Sequence, residues 1–454
     1  MPLLLLLLLL AAARAPAQAP SGAPPWAPAQ VPPDSASQYP LLTLAEVVKR
    51  AMVVSPGVVG GEGGVTNAIS GRRVAFGAYL PTLSMSAAST GINTKGLVTQ
   101  PPILNLPPTT SIGPVRIRNQ TLGLTVGGDV YTGGLRRAND AFAEDQLRAS
   151  RYALVNDREA ATLAAVQAFY EVIRASENVS VARVALAQSE TLLRYTLDKS
   201  KAGTAMRSDV LRAQFDLTTS REQLAAARDT LVSAVWTLGW LAGADGPVGA
   251  RPDSESQAIR PLSMDDSTIV HYAASQSPSV NYAHAVENAS DAGVRAARAS
   301  YRPTVSASSS YIWATDPTVA TSTSRPGFTI TIGTLYPVFN GFQREDSLAR
   351  ARVVAETARA TTADARRLAR ASAAHDLSTL HAAESNISLS EEAIRSARED
   401  LRVQAERYRA GVSTILDVLV SQTALTRAGY GLALARQQYH IARAQLEALL
   451  GRRL

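Results

Sequence analysis

Residues 201–214 read KAGTAMRSDVLRAQ, and residues 409–422 read RAGVSTILDVLVSQ. Both stretches begin with a basic residue, Ala and Gly, continue after five further residues with Asp-Val-Leu, and end on Gln. Gly411 follows Gly203 by 208 residues, and the same spacing relates Gly133 to Gly341. Earlier in the chain, a Tyr-x-Pro-Thr motif at 79–82 recurs 222 residues later at 301–304. Because a long internal repeat decides the architecture, the sequence predicts two copies of one unit with the parts in one order.

Each predicted copy contains a long arm without proline, between Pro114 and Pro247 in the first and after Pro337 in the second. Strong helix formers fill the arms and the motif glycine interrupts each one, so each arm is predicted to be a helical hairpin. The predicted helices cover 135 to about 200, 208–241, 342 to about 408 and 414–450, with turns at 202–204 and 410–412. Ser208 and Thr414 are predicted to cap the two return helices.

The first arm has apolar residues at three- and four-residue steps, which predicts a face that packs against other helices. They are Val166, Phe169, Tyr170, Ile173, Val181, Val184, Leu192 and Leu193. From the arms alone, a soluble coiled-coil rod is an equal alternative.

Two segments before each arm alternate between apolar and small polar residues, with apolar residues at 83–87, 122–126, 305–313 and 328–332. Segments of about 10 residues with this period are typical of transmembrane β-strands, although a strand of a soluble sandwich looks similar. Aromatic residues cluster at one end of the four segments and Trp313 lies near the other, as in interfacial girdles; the cluster is Tyr79, Tyr131, Tyr301, Tyr336 and Phe339. Polar loops are predicted at 93–118 and 314–327. Four strands cannot close a barrel, so the sequence predicts an oligomer.

The N-terminal segment is predicted to be a secretory signal peptide over 1–17, with eight consecutive Leu at 3–10, followed by a Pro/Ala-rich linker over 18–40. The chain has no cysteine, and no transmembrane helix is predicted. The formal charge of +7 comes from Arg residues spread beside Glu and Asp, which indicates solvated helix faces and no nucleic-acid partner.

The chain resembles the outer membrane efflux protein family, the TolC-like export ducts, in three sets of motifs: the strand-to-helix joints at 130–134 and 338–341, the Tyr-x-Pro-Thr motifs, and the 201–214 and 409–422 stretches. The resemblance covers about residues 40–454. It implies a mixed α and β fold in which each subunit lends four strands to a trimeric 12-stranded transmembrane β-barrel and long hairpins to an α-helical barrel. The implied divisions are a first repeat over 41–243, a linker over 244–262 and a second repeat over 263–454. Small helices near 43–52 and 265–276 would form an equatorial belt.

The partners implied by the resemblance are two further copies of the chain, a periplasmic adaptor (membrane fusion) protein, an inner-membrane transporter of RND, ABC or MFS type, and outer membrane lipid. Gly203 and Gly411 would mark the tips that dock the adaptor, and Asp209, Tyr408 and Asp417 match gate positions. Two further family positions depart from the pattern, since Val420 stands where a second carboxylate is expected and Ser413 where a basic residue is expected. From the residues alone, Asp209 and Asp417 are equally well explained as helix N-terminal residues.

The glycine-rich run at 60–64 has no following Lys-Ser/Thr, so it is not a phosphate-binding loop; a loop or a broken helix start is predicted there. The five histidines show no metal spacing, and no enzyme activity or cofactor is predicted. The predicted function is a passive outer membrane duct for tripartite efflux or type I secretion. The alternative is a periplasmic coiled-coil scaffold or adaptor protein without a channel.

Overall fold

The computed structural model of the protein describes residues 39–99, 110–253, 258–315 and 324–454. The predicted signal peptide and almost all of the predicted linker lie outside the described residues, as do the centres of both predicted strand loops.

The described elements follow one order twice, helix-helix-strand-strand-helix-helix, with one short strand added to each half. The first half contains β1 (Leu41–Leu42), α1 (Leu44–Val54), α2 (Pro56–Gly77), β2 (Thr82–Thr99), β3 (Thr110–Tyr131), α3 (Leu135–Lys201) and α4 (Arg207–Leu241). The second contains β4 (Gly249–Ala250), α5 (Asp266–Gln276), α6 (Pro278–Ala299), β5 (Thr304–Thr315), β6 (Ser324–Leu335), α7 (Gln343–Arg409) and α8 (Ile415–Leu450). The four long predicted helices and the two short belt helices are all present.

The two return helices begin differently from one another. Thr414 caps α8 as predicted: its Oγ1 accepts from the Asp417 N–H at 3.4 Å, and the Asp417 carboxylate accepts from the Thr414 N–H at 2.9 Å. The prediction that Ser208 caps α4 is wrong, because α4 begins at Arg207 and its N-cap is Met206. Ser208 already lies inside the helix.

The prediction of a loop or broken helix at 60–64 is also wrong, since α2 runs without interruption through all four glycines. A side chain at Gly61 would lie 2.7 Å from the Asp157 carboxylate and 3.1 Å from Leu154, both on α3. Glycine at this position therefore allows α2 and α3 to approach closely, and their packing overrides the low helix propensity of the run.

The four long strands form one antiparallel sheet in the order β2-β3-β5-β6. In register, Leu122 faces Trp313 across β3 and β5, and Tyr311 faces Phe328 across β5 and β6. The predicted loops at 93–118 and 314–327 are too long, because β2 continues to Thr99 and pairs with β3 from Thr110. The apolar residues of β6 share one exposed face, and they are Phe328, Ile330 and Ile332.

The long helices pack side by side, α4 on α3, α3 on α8 and α8 on α7, so α4 and α7 are the outermost helices. Nearer the sheet, α2 packs on α3, and α6 packs on both α3 and α7. Within the described ranges, no helix combines the length and apolar character that crossing a membrane requires.

Two buried clusters lie where the short helices meet the long ones. Phe169 and Leu238 pack against Val47 of α1, and Leu377 and Leu446 pack against Ile269 of α5. Of the predicted packing positions on α3, Val184 is exposed, because the neighbouring Ala182 and Ala185 take the helix contacts instead.

A partly buried histidine on α8 makes stability depend on pH. The His440 ring stacks on Tyr170 with centroids 4.2 Å apart, and burial, aided by Arg443 and Arg436, lowers the pKa of His440 from 6.5 to about 4. Between these two pH values the unfolded chain binds more protons at His440 than the folded chain does. The stability that neutral His440 provides is therefore fully present above pH 6.5 and is lost as pH falls towards 4.

We expect His440→Phe, which keeps the aromatic stack without a titrating group, to remove roughly 3 kcal/mol of pH dependence across this window. The measurement is the urea midpoint of the purified protein at several pH values. The same change at exposed His271 is the control, and a wild-type pH dependence in His440→Phe would contradict the assignment.

Candidate functional site: the two hairpin tips

The far ends of the two hairpins are built in the same way. In the first tip Gly203 has φ +71° and donates to the Ser200 carbonyl at 3.0 Å, while the Thr204 N–H donates to Lys199 at 2.9 Å. In the second tip Gly411 has φ +79°, and the equivalent bonds join Gly411 to Tyr408 and Val412 to Arg407. Both are Schellman-type helix ends that favour Gly in the left-handed position.

A Cβ added at Gly203 or Gly411 would meet nothing within 4 Å. The two tips therefore lie open at the end of the subunit, and the glycines are turn residues with free space around them.

The acidic residues predicted for the gate hold the starts of their own helices. The Asp417 carboxylate accepts from Thr414 N–H at 2.9 Å and from Ser413 Oγ at 2.7 Å, and these hydrogen bonds, the one from Thr414 first, lower its pKa. The Asp209 carboxylate accepts from Met206 N–H at 3.3 Å and lies 3.9 Å from Arg212. Val420, one turn beyond Asp417, is exposed.

Tyr408, the third predicted gate residue, lies buried between the two hairpins. Its hydroxyl is 3.4 Å from Thr196 Oγ1, and its ring meets Tyr195 edge-on with centroids 5.9 Å apart. Burial raises the pKa of Tyr408, with a further contribution from the Asp209 charge. The surrounding apolar residues include Leu192 from the first hairpin and Ile415 from the second.

Two residues that sequence reasoning missed join the ends of α3 and α7. Lys199 Nζ donates to the Tyr408 carbonyl at 2.6 Å and lies 4.6 Å from the centre of the Tyr408 ring. The Tyr195 hydroxyl donates to the Arg409 carbonyl at 3.2 Å. Lys199 is one of four lysines in the chain, which is the only signal the sequence offers for it.

Farther from the tips, a buried polar contact connects three helices. Gln422 of α8, the last residue of the repeated stretch, donates from its amide to Ser189 Oγ at 2.8 Å and to the Ala185 carbonyl at 3.2 Å, both on α3. Ser189 Oγ lies 2.8 Å from Ser220 Oγ on α4. This contact fixes the register of α8 against the first hairpin.

The part of the chain that the structure describes contains no group of three or more His, Asp or Glu side chains arranged to hold a metal ion.

A family profile described as Outer membrane efflux protein matches residues 65–244 and 269–452. The chain belongs to this family. An outer membrane efflux protein of this kind resides in the outer membrane and serves export, which confirms the predicted class of protein, its location and its resemblance to TolC-like ducts. The matched ranges contain all of the predicted tip residues.

Two curated relatives give the extent of the likeness. Outer membrane efflux protein BepC of Brucella suis is 26% identical over 345 residues, which cover 73% of this chain and 72% of the relative. Pyoverdine export outer membrane protein OpmQ of Pseudomonas aeruginosa is 25% identical over 335 residues, covering 71% of this chain and 67% of the relative.

Solved structures share the fold. The outer membrane protein VceC of Vibrio cholerae superposes with a TM-score of 0.75 at 19% identity, over 90% of this chain and 96% of that one. CusC superposes with a TM-score of 0.77 at 17% identity, over 93% and 96%. The mixed α and β fold of the outer membrane efflux proteins is therefore present here.

Proposed function

We propose that three copies of this chain form a passive duct, the outer membrane channel of a tripartite efflux or type I secretion system. The observation that carries the proposal is that the four-stranded sheet and the row of long helices each have two open edges. The four-stranded sheet ends in β2 and β6, and the row of long helices ends in α4 and α7.

The sheet edges require partners if the strands lie in a membrane. Backbone groups without hydrogen bonds cost several kcal/mol each in hydrocarbon, so an open four-stranded sheet is not stable there. Three copies supply 12 strands in a closed ring, and the exposed apolar face of β6 then meets lipid.

The helix edges carry apolar side chains that suit a neighbouring subunit. Phe215 and Trp240 are exposed on α4, and Leu368 and Leu389 are exposed on α7. Burying these side chains between α4 of one copy and α7 of the next would complete a 12-helix tunnel.

The repeated order of elements supports a division into two structural repeats, 41–243 and 263–454, joined by the linker 244–262. Within this arrangement the chain needs no cofactor, enzyme activity or nucleic acid, because the duct itself performs no chemistry. The pump supplies the energy. One relative is named for efflux and another for pyoverdine export.

The hairpin tips are the proposed inner entrance. Gly203 and Gly411 have room for an adaptor to approach, and an inner-membrane transporter of RND, ABC or MFS type would lie beyond it. We assign Asp209, Tyr408 and Asp417 to the gate. Asp417 places a charge at the entrance while its carboxylate completes the capping box that Thr414 begins. Val420 supplies no second carboxylate there.

Native mass measurement and planar-bilayer conductance of the mature protein test the proposal together. We expect a trimer that conducts ions. A folded single subunit in detergent without conductance, or release of the protein in soluble form without detergent, would favour the periplasmic scaffold and overturn the duct.

A further inference from the structure

The first tip holds a lysine whose ammonium group contacts the neighbouring hairpin. Lys199 lies in the last turn of α3 and is partly buried. Among the described residues, no carboxylate lies within salt-bridge distance of Lys199, whereas its neighbour Lys201 lies 3.7 Å from Asp198.

Lys199 contacts the end of α7 through the Tyr408 carbonyl and ring, and its ammonium group also lies over the Tyr195 ring on its own helix, α3. Its Nζ donates to the Tyr408 carbonyl at 2.6 Å, and it lies over two rings, 4.6 Å from the centre of Tyr408 and 5.6 Å from that of Tyr195. The same carbonyl accepts from Gly411 N–H at 3.2 Å, within the turn of the second tip. Lys199 and the turn glycine of the second tip therefore donate to the same carbonyl, that of Tyr408.

Three physical effects act in the same direction at this point. The last carbonyls of α7 carry the negative end of the helix dipole, which favours a cation there. The faces of the two tyrosine rings attract the same ammonium group. Partial burial reduces screening by water, so a charge-assisted hydrogen bond contributes more here than at an exposed site.

We propose that Lys199 is the positioning residue that keeps the second hairpin tip against the first, so that the inner entrance stays narrow at rest. The proposal rests on the duct function above. Lys199 makes its contacts with main chain and with aromatic rings.

The neighbouring lysine provides a matched control. Lys201 is two residues away on the same helix, has the same charge, and its side chain is 79% exposed. We expect Lys199→Met to raise the open fraction of the channel in planar bilayers about tenfold, as loss of a charge-assisted hydrogen bond predicts, and Lys201→Met to leave it unchanged.

A second variant restores the ammonium group chemically and so separates its loss from damage to the fold. The chain has no cysteine, so Lys199→Cys gives a single thiol for reaction. Aminoethyl methanethiosulfonate adds an ammonium group to that thiol and should return the conductance towards the wild-type value. Methyl methanethiosulfonate adds only a neutral group and should leave the channel open.

The outcomes distinguish the role of Lys199 from the duct function. Conducting wild-type trimers with an unchanged Lys199→Met channel overturn the role of Lys199 and leave the duct intact. An equal increase in Lys201→Met overturns it as well, because charge alone would then explain the change. If Lys199→Met does not fold, the comparison of Lys199→Cys with the two reagents decides. Wild-type protein that forms no conducting trimer contradicts the duct itself.

Discussion

Ile330→Arg is expected to remove assembled trimers from the outer membrane. Ile330 lies at the middle of β6, opposite Ser309 on β5, and 66% of its surface is exposed in the single subunit. On the same exposed face, Phe328 and Ile332 are also apolar. If this face contacts lipid, an arginine near the middle of the bilayer costs about 2–4 kcal/mol in each subunit, and the assembled trimer carries this cost three times.

The next residue along the strand provides the control. Thr331 points to the opposite side of the sheet because side chains alternate along a strand. In the proposed barrel that side faces water, so Thr331→Arg should assemble normally and shift the ion selectivity of the pore towards anions. The amount of trimer in outer membrane fractions, measured by native mass, separates the two. Equal recovery of both arginine variants would show that the Ile330 face does not lie in lipid.

The long hairpins could be predicted closely from sequence because the signals that end a helix are local. Gly203 and Gly411 adopt the left-handed conformation that terminates a helix, and the helices start and stop within a residue or two of the predicted positions. Thr414 with Asp417 is likewise a local capping pattern.

Other features depended on packing, which no local pattern encodes. The 60–64 run is helical because α2 packs on α3, and Gly61 leaves the space that this close packing requires. Nothing in the run itself indicates that neighbour. The strands exceed their predicted lengths because pairing between β2 and β3 continues through residues that read as a polar loop.

The same division applies to the candidate site. The turn glycines and Tyr408 could be found from the repeated motif and the resemblance. The contact between Lys199 and the Tyr408 carbonyl joins residues 209 positions apart, and its acceptor is main chain that every residue possesses. No sequence pattern distinguishes that carbonyl from its neighbours, so only the packed hairpins reveal it.

Gly133→Ala is expected to destabilise the joint between β3 and α3 severely. Gly133 has φ +63°, and a Cβ there would lie 2.8 Å from the Ala299 carbonyl oxygen and 2.8 Å from Arg302 Cβ. The left-handed conformation alone costs an alanine about 1–2 kcal/mol. The clash with main chain at the end of α6 adds to this cost. Arg302 also donates a hydrogen bond to the Gly133 carbonyl at 3.1 Å, so the joint cannot move away from α6 without losing that bond. We expect a total loss of about 3 kcal/mol or more in the free energy of unfolding.

The second half of the chain contains the matched position. Gly341 has φ +67°, yet a Cβ there would meet nothing within 4 Å. Gly341→Ala should therefore lose only the conformational cost of about 1–2 kcal/mol. Urea midpoints of the two variants, measured side by side with wild type, give the difference directly. That difference isolates the close approach of α6 to the first joint, since the backbone conformation is shared. Equal losses would mean that the joint can move away from α6 without cost, and that the contact does not hold β3 and α3 in place.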